Sequence, residues 1–117
     1  MSTIRNSVQL IGFLGRDPEI RELESGRKRG QVSIATSDTF RDSNGVLQQR
    51  THWHNLVAWG PQATYLEKYL HKGSFTGIRG KLSHRTYQDH EGQQKRWTEV
   101  VVREFVPLEP KEKSVPF

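Results

Sequence analysis

A chain of 117 residues favours one domain that can close its own core, and it is too short for two. Hydrophobic residues make up only 32% and the mean hydropathy is −0.79, so part of the chain is expected to be flexible or to gain cover by self-association; no apolar run approaches the ~18 residues of a membrane span. Lys and Arg number 18 against 13 Asp and Glu, for a formal charge of +5, and the last nine residues are balanced, so the whole excess sits on residues 1–108 and favours a polyanionic partner.

Residues 7–14 form the first strand candidate, with Val8 and Leu10 on one parity and Ile11 and Phe13 on the other, so that both faces are expected to be covered. Gly15-Arg16-Asp17-Pro18 interrupts it, because proline removes a ladder donor. Residues 20–23 can continue the pairing before Ser25-Gly26 turns. Residues 31–36 alternate cleanly, with Val32 and Ile34 facing in. Asp42-Ser43-Asn44-Gly45 marks a hairpin tip, since Asn-Gly supplies positive φ angles, and its polar arms predict a ribbon projecting from the body.

Residues 51–59 are the third strand, rich in aromatic and β-branched side chains, and Gly60-Pro61 stops it. Pro61 suits the first turn of a helix whose face is Ala63, Leu66 and Leu70, and Lys72-Gly73 is expected to close that helix. Residues 75–82 resume strand character. A second polar hairpin turns at Asp89-His90-Glu91-Gly92 and returns through Val100, Val101, Val102, Phe105 and Val106. Pro107 and Pro110 end the pattern, leaving residues 109–117 as a free tail beside a domain at 1–108. Three strands, one helix and two more strands predict an all-β chain: a five-stranded OB barrel with one helix between strands 3 and 4 and long hairpin ribbons. On periodicity alone another small barrel or an α+β sheet stays open.

Trp53 and Trp59 are six residues apart on one strand, so they share a face, roughly 20 Å apart. Leu56 and Ala58 on the opposite parity can fill the barrel, which releases the tryptophan face for another use. Phe40 lies on the first polar ribbon and Tyr87 on the second, among charged neighbours where a core role is hard to assign. Unpaired bases need such π surfaces, because each has two apolar faces to hide. Arg41, Lys72, Lys81 and Arg85 are candidate phosphate contacts. Neither stacking nor phosphate pairing reads base identity, so this chemistry predicts sequence-tolerant binding.

Other classes find less support. His52 and His54 share a strand parity, but no carboxylate is placed beside them by sequence logic, and no metal site is expected. Gly77-Ile78-Arg79-Gly80 lacks the helix a phosphate-cradling loop needs. The absence of cysteine excludes thiolate sites and disulfides and fits a reducing cytoplasm. No enzyme activity and no cofactor are expected.

The segments Asn6-Ser7-Val8-Gln9-Leu10-Ile11-Gly12-Phe13-Leu14-Gly15-Arg16-Asp17-Pro18-Glu19, Ile34-Ala35-Thr36-Ser37 and Thr51-His52-Trp53-His54-Asn55-Leu56-Val57 resemble bacterial single-stranded-DNA-binding proteins in order and spacing. So do Tyr69-Leu70-His71-Lys72-Gly73-Ser74 and Thr98-Glu99-Val100-Val101, and the resemblance spans residues 4–108. It implies an OB fold, a homotetramer, and DNA wrapped over aromatic side chains during replication, recombination and repair. It assigns base stacking to Phe40, Trp53, Trp59 and Tyr87, with Phe40 and Tyr87 standing where tryptophan is frequent, and a subunit-interface position to His54. Val115, Pro116 and Phe117 keep the family's apolar tail anchor for replication and repair partners, without its linker or acidic run. A primosomal accessory protein and an RNA-binding OB module are the alternatives.

Overall fold

The computed structural model describes residues 4–108; the expectations for Val115, Pro116, Phe117 and a tail from residue 109 lie outside the described residues. A 3-10 turn at Ile4–Asn6 precedes β1 (Val8–Leu14), β2 (Glu19–Glu22), β3 (Lys28–Arg41), β4 (Leu47–Trp59), α1 (Pro61–Tyr69), β5 (Phe75–Gln88) and β6 (Gln94–Pro107).

The barrel closes because β1 has two partners. It pairs antiparallel with β5 from Val8↔Gly80 to Phe13↔Phe75, and with β3 at Phe13↔Ala35 and Leu14↔Ile34. The ring then runs β5 to β6, β6 to β4 and β4 back to β3, with β2 as a short extra edge on β3. Five long strands and a helix after the third make the expected OB barrel, all-β apart from α1. Gly12 makes the double pairing of β1 possible: a Cβ there would run into the backbone carbonyl of Ala35.

Alternation along the strands fills the interior. Val32 and Ile34 of β3, Leu56 and Ala58 of β4, Ile78 of β5, and Val100 and Val102 of β6 all point inward. Ala63 and Leu66 of α1 plug one end, and both have no exposed surface. Leu70 packs against the same cluster, as its spacing predicts. The helix nevertheless ends at Tyr69, earlier than Lys72-Gly73 implies. Leu70 is already extended (φ −121°, ψ 148°), because the chain must turn back to start β5 beside β1. Lys72 and Gly73 belong to that connection: the Lys72 N–H donates to Asp17 Oδ1 (2.8 Å), and the Gly73 N–H donates to the Leu14 carbonyl (2.9 Å).

The two ribbons share one device at their tips. Asp42 accepts from the N–H groups of Asn44 and Val46 (2.9 Å each) and from Gln48 Nε2 (3.1 Å). Asp89 likewise accepts from the N–H groups of Glu91 and Gln93 (2.9 Å each). The bonds from Val46, Gln48 and Asn44 hold the Asp42 carboxyl below the ordinary aspartate range. Asn44 does not take the positive φ of a two-residue turn; only Gly45 does (78°), because the Asp42 side chain closes the longer loop.

The outer face of β1 differs from expectation. Ile11 is 60% and Phe13 55% exposed, so the second parity of this strand lies uncovered within one protomer.

Candidate nucleic-acid interface

β3 and β4 pair without a bulge from Arg29↔Trp59 to Arg41↔Leu47, so side-chain parity holds along the whole ribbon. Trp53 and Trp59 therefore share the outer face with Asn55 and Val57, while Leu56 and Ala58 face the core. Phe40 pairs with Gln48 and so stands on the opposite pleat face from Trp53. This part of the ribbon lies beyond the barrel, and Phe40 is 37% exposed there.

Trp53 is 61% exposed. Its six-membered ring lies over Gly15 at the end of β1: a Cβ on Gly15 would collide with Trp53 Cζ3 and stand 2.7 Å from Cη2. Gly15 is itself tied to β3 through its N–H to the Ser33 carbonyl (3.0 Å). The Lys72 loop is bonded to Leu14 and Asp17, so Trp53 and Lys72 gather at the same end of β1.

Trp59 is half-buried, at the edge where β2, β3 and α1 meet. The Arg27 guanidinium carbon lies 4.5 Å from its ring centroid and that of Arg29 5.7 Å. On the first ribbon the Arg50 guanidinium stands 4.4 Å from the Phe40 ring. Sequence reasoning missed these three arginines. The run Arg27-Lys28-Arg29 marked a basic cluster, but only the cross-strand pair Arg29↔Trp59 attaches it to an aromatic.

The remaining expected residues fall on the two ribbons and the sheet between them. The Arg41 Nη1 donates to the Gly45 carbonyl of its own turn (2.9 Å). Lys81 and Arg85 are exposed on β5, paired with Val101 and Trp97 of β6, and Tyr87 pairs with Lys95 and is 46% exposed. Phe40 and Tyr87 thus sit on separate ribbons, Trp53 and Trp59 on the wall between them and the helix end. His54 is on the inward parity but half-buried, with Nε2 2.9 Å from Thr36 Oγ1. Burial, and secondarily the charge His52 would carry, push its pKa below the ordinary histidine value. Among the described residues no group of three or more His, Asp or Glu could hold a metal ion.

A model described as the single-strand binding protein family matches residues 5–108. Single-stranded DNA-binding protein 1 of Chlorobaculum tepidum is 44% identical over 108 residues, which cover 92% of this chain and 67% of the relative. A Plasmodium falciparum SSB solved in complex with ssDNA superposes with a TM-score of 0.83 at 30% identity, covering 93% of this chain and 99% of that one. A deletion mutant of the Thermus aquaticus single-stranded DNA binding protein gives 0.79 at 28% identity, covering 91% of this chain and 51% of that one. The chain belongs to the single-strand binding protein family.

Proposed function

We propose that this protein coats and protects single-stranded DNA with little regard to sequence, serving replication, recombination and repair in the cytoplasm without catalysing a reaction. Bases stack on Phe40, Trp53, Trp59 and Tyr87, and phosphates pair with Arg41, Lys72, Lys81 and Arg85, joined by Arg27, Arg29 and Arg50 beside the rings. The observation that carries the reading is Trp53, a large aromatic 61% exposed on a rigid strand of a barrel of this family. A duplex cannot use such a surface, because its bases are already stacked on one another. Each base–aromatic stack is worth ~1–3 kcal/mol and is indifferent to the base, while phosphate neutralisation adds a salt-dependent remainder.

Family membership also favours self-association, and we read the assembly as a homotetramer. Ile11, Phe13 and Val106 (60%, 55% and 40% exposed) gather on the outer face of β1, β5 and β6, where Phe13 also packs on Phe75 with ring centroids 4.8 Å apart. An apolar face of this kind is costly in water and suits burial against another copy. His54 is assigned to the subunit contact by the same reading.

Titration with a thymidine homopolymer, followed by tryptophan emission and by anisotropy of a labelled strand, tests the function. Quenching and saturable binding of the single strand, with a duplex of equal length far weaker at the same salt, is the expected result. Equal affinity for duplex and single strand would overturn it.

A further inference from the structure

The sheet carries a third tryptophan that none of the assignments above uses. β4 and β6 run parallel and are in register only at Leu56↔Val100 and Val57↔Val101. Toward the ribbons the two strands separate, and a cleft of about 370 Å³ opens between them, with Trp53, Asn55, Arg96, Trp97 and Glu99 in its walls. Residues in register on neighbouring strands share a face, and every second residue returns to it. Stepping back by twos from Val57 and Val101 places Asn55 and Trp53 on one strand, and Glu99 and Trp97 on the other, all on the outer face. On the far side of β6, Arg85 is paired with Trp97 and Tyr87 with Lys95. Trp97 therefore stands between Trp53 and Tyr87 on one continuous surface, with a cation on the adjoining strand.

The local chemistry prepares this ring for a ligand. Its Nε1–H donates to Glu99 Oε1 at 2.8 Å, and both residues are half-buried. The polar edge of the indole is thus satisfied and the ring is held in one orientation, which lowers the entropy lost when a base settles on it. The ring of Trp53 leans the other way, onto Gly15, and leaves the cleft open. Glu99 and Arg96 both stand in the cleft wall, so their charges offset, and the surface that the wall offers a base is the face of the indole.

We propose that Trp97, oriented by Glu99, is a further base-stacking residue, and that the cleft beside it receives one unpaired base of the strand that crosses Trp53 and Tyr87. The inference rests on the single-stranded-DNA reading. The cleft lies at the small end of the roughly 300–1,000 Å³ range of ligand sites, a size for one base and not for a folded partner. Arg85, opposite Trp97, is placed for the adjoining phosphate. Glu99 is a positioning residue: it acts through the indole.

The test uses the chain with Trp53→Phe and Trp59→Phe, which leaves Trp97 as its one tryptophan. Emission is followed during titration with a thymidine homopolymer, and binding is followed independently by anisotropy of a labelled strand. The Trp97 signal is expected to be quenched in step with anisotropy. In the otherwise native chain Trp97→Ala is expected to weaken binding about tenfold and Trp97→Phe to recover most of that, with unchanged circular dichroism. Rising anisotropy with constant Trp97 emission would overturn the proposal. So would an emission change that follows protein concentration without DNA, which would place the cleft between copies of the chain. Failure of the native protein itself to bind the labelled strand would instead remove the DNA reading, and the proposal with it.

Discussion

Gly15 is the place to disturb the Trp53 platform without changing Trp53. A methyl group there meets Cζ3 of the indole, with Cη2 at 2.7 Å and Ser33 Oγ at 3.3 Å. The backbone of Gly15 does not need a positive φ, so Gly15→Ala is compatible with the fold and gains ~0.4–1 kcal/mol by restricting the unfolded chain. Against this, the indole must swing off β1. With 61% of Trp53 exposed, about 40% is covered; for a side chain of ~250 Å² that is roughly 100 Å², or at most ~2.5 kcal/mol at 25 cal/mol per Å². The net loss of stability is therefore expected to stay below about 2 kcal/mol. DNA binding loses the properly placed stack, ~1–3 kcal/mol, a roughly 5- to 150-fold weakening. Urea unfolding and strand anisotropy measured on the same preparation separate the two effects. Binding equal to that of the native chain would refute the idea that Trp53 stacks a base from its resting place on Gly15. A collapse of stability well beyond 2 kcal/mol would make the indole a structural element instead.

Arg85→Ala removes one proposed phosphate contact and is expected to flatten the log–log dependence of affinity on salt by ~0.7, as read from titrations at several salt concentrations; an unchanged slope takes Arg85 off the DNA. Phe13→Glu places a charge on the exposed apolar face and is expected to shift sedimentation toward the 13.6 kDa protomer, whereas an intact assembly would move the contact elsewhere. His54 gives a pH dependence with a defined sign. Its folded pKa lies below the ordinary 6.5, so as pH falls through 6.5 the unfolded chain takes the proton first and stability declines; above that range the contribution is constant. Urea midpoints at pH 7.5 and 5.5 are expected to differ less in His54→Gln than in the native chain. An equal acid loss in both would assign it to groups other than His54.

Much of this fold is local information. Val32 and Ile34, or Leu56 and Ala58, announce their inward parity by alternation, Pro61 announces the helix start, and the two Asp-containing tips announce the ribbons, because each signal depends on residues only a few positions apart. The shared face of Trp53 and Trp59 was legible for the same reason: along one strand, even spacing is geometry. The helix end was not, since Leu70 turns extended to satisfy a connection to β1, fifty-odd residues upstream, and helix propensity has no knowledge of that demand. Equally beyond reach were the seating of Trp53 on Gly15, the arginines over Trp59, the opposite pleat face of Phe40 and the alignment of Trp97 with Trp53 through the parallel β4–β6 pair. Sequence by itself determined which side of its own strand each residue occupies. Which strand lies next to it, and in what register, was decided only when β1 paired with both β3 and β5 and closed the barrel, because strand neighbours are set by contacts between distant segments and not by the pattern within any one of them.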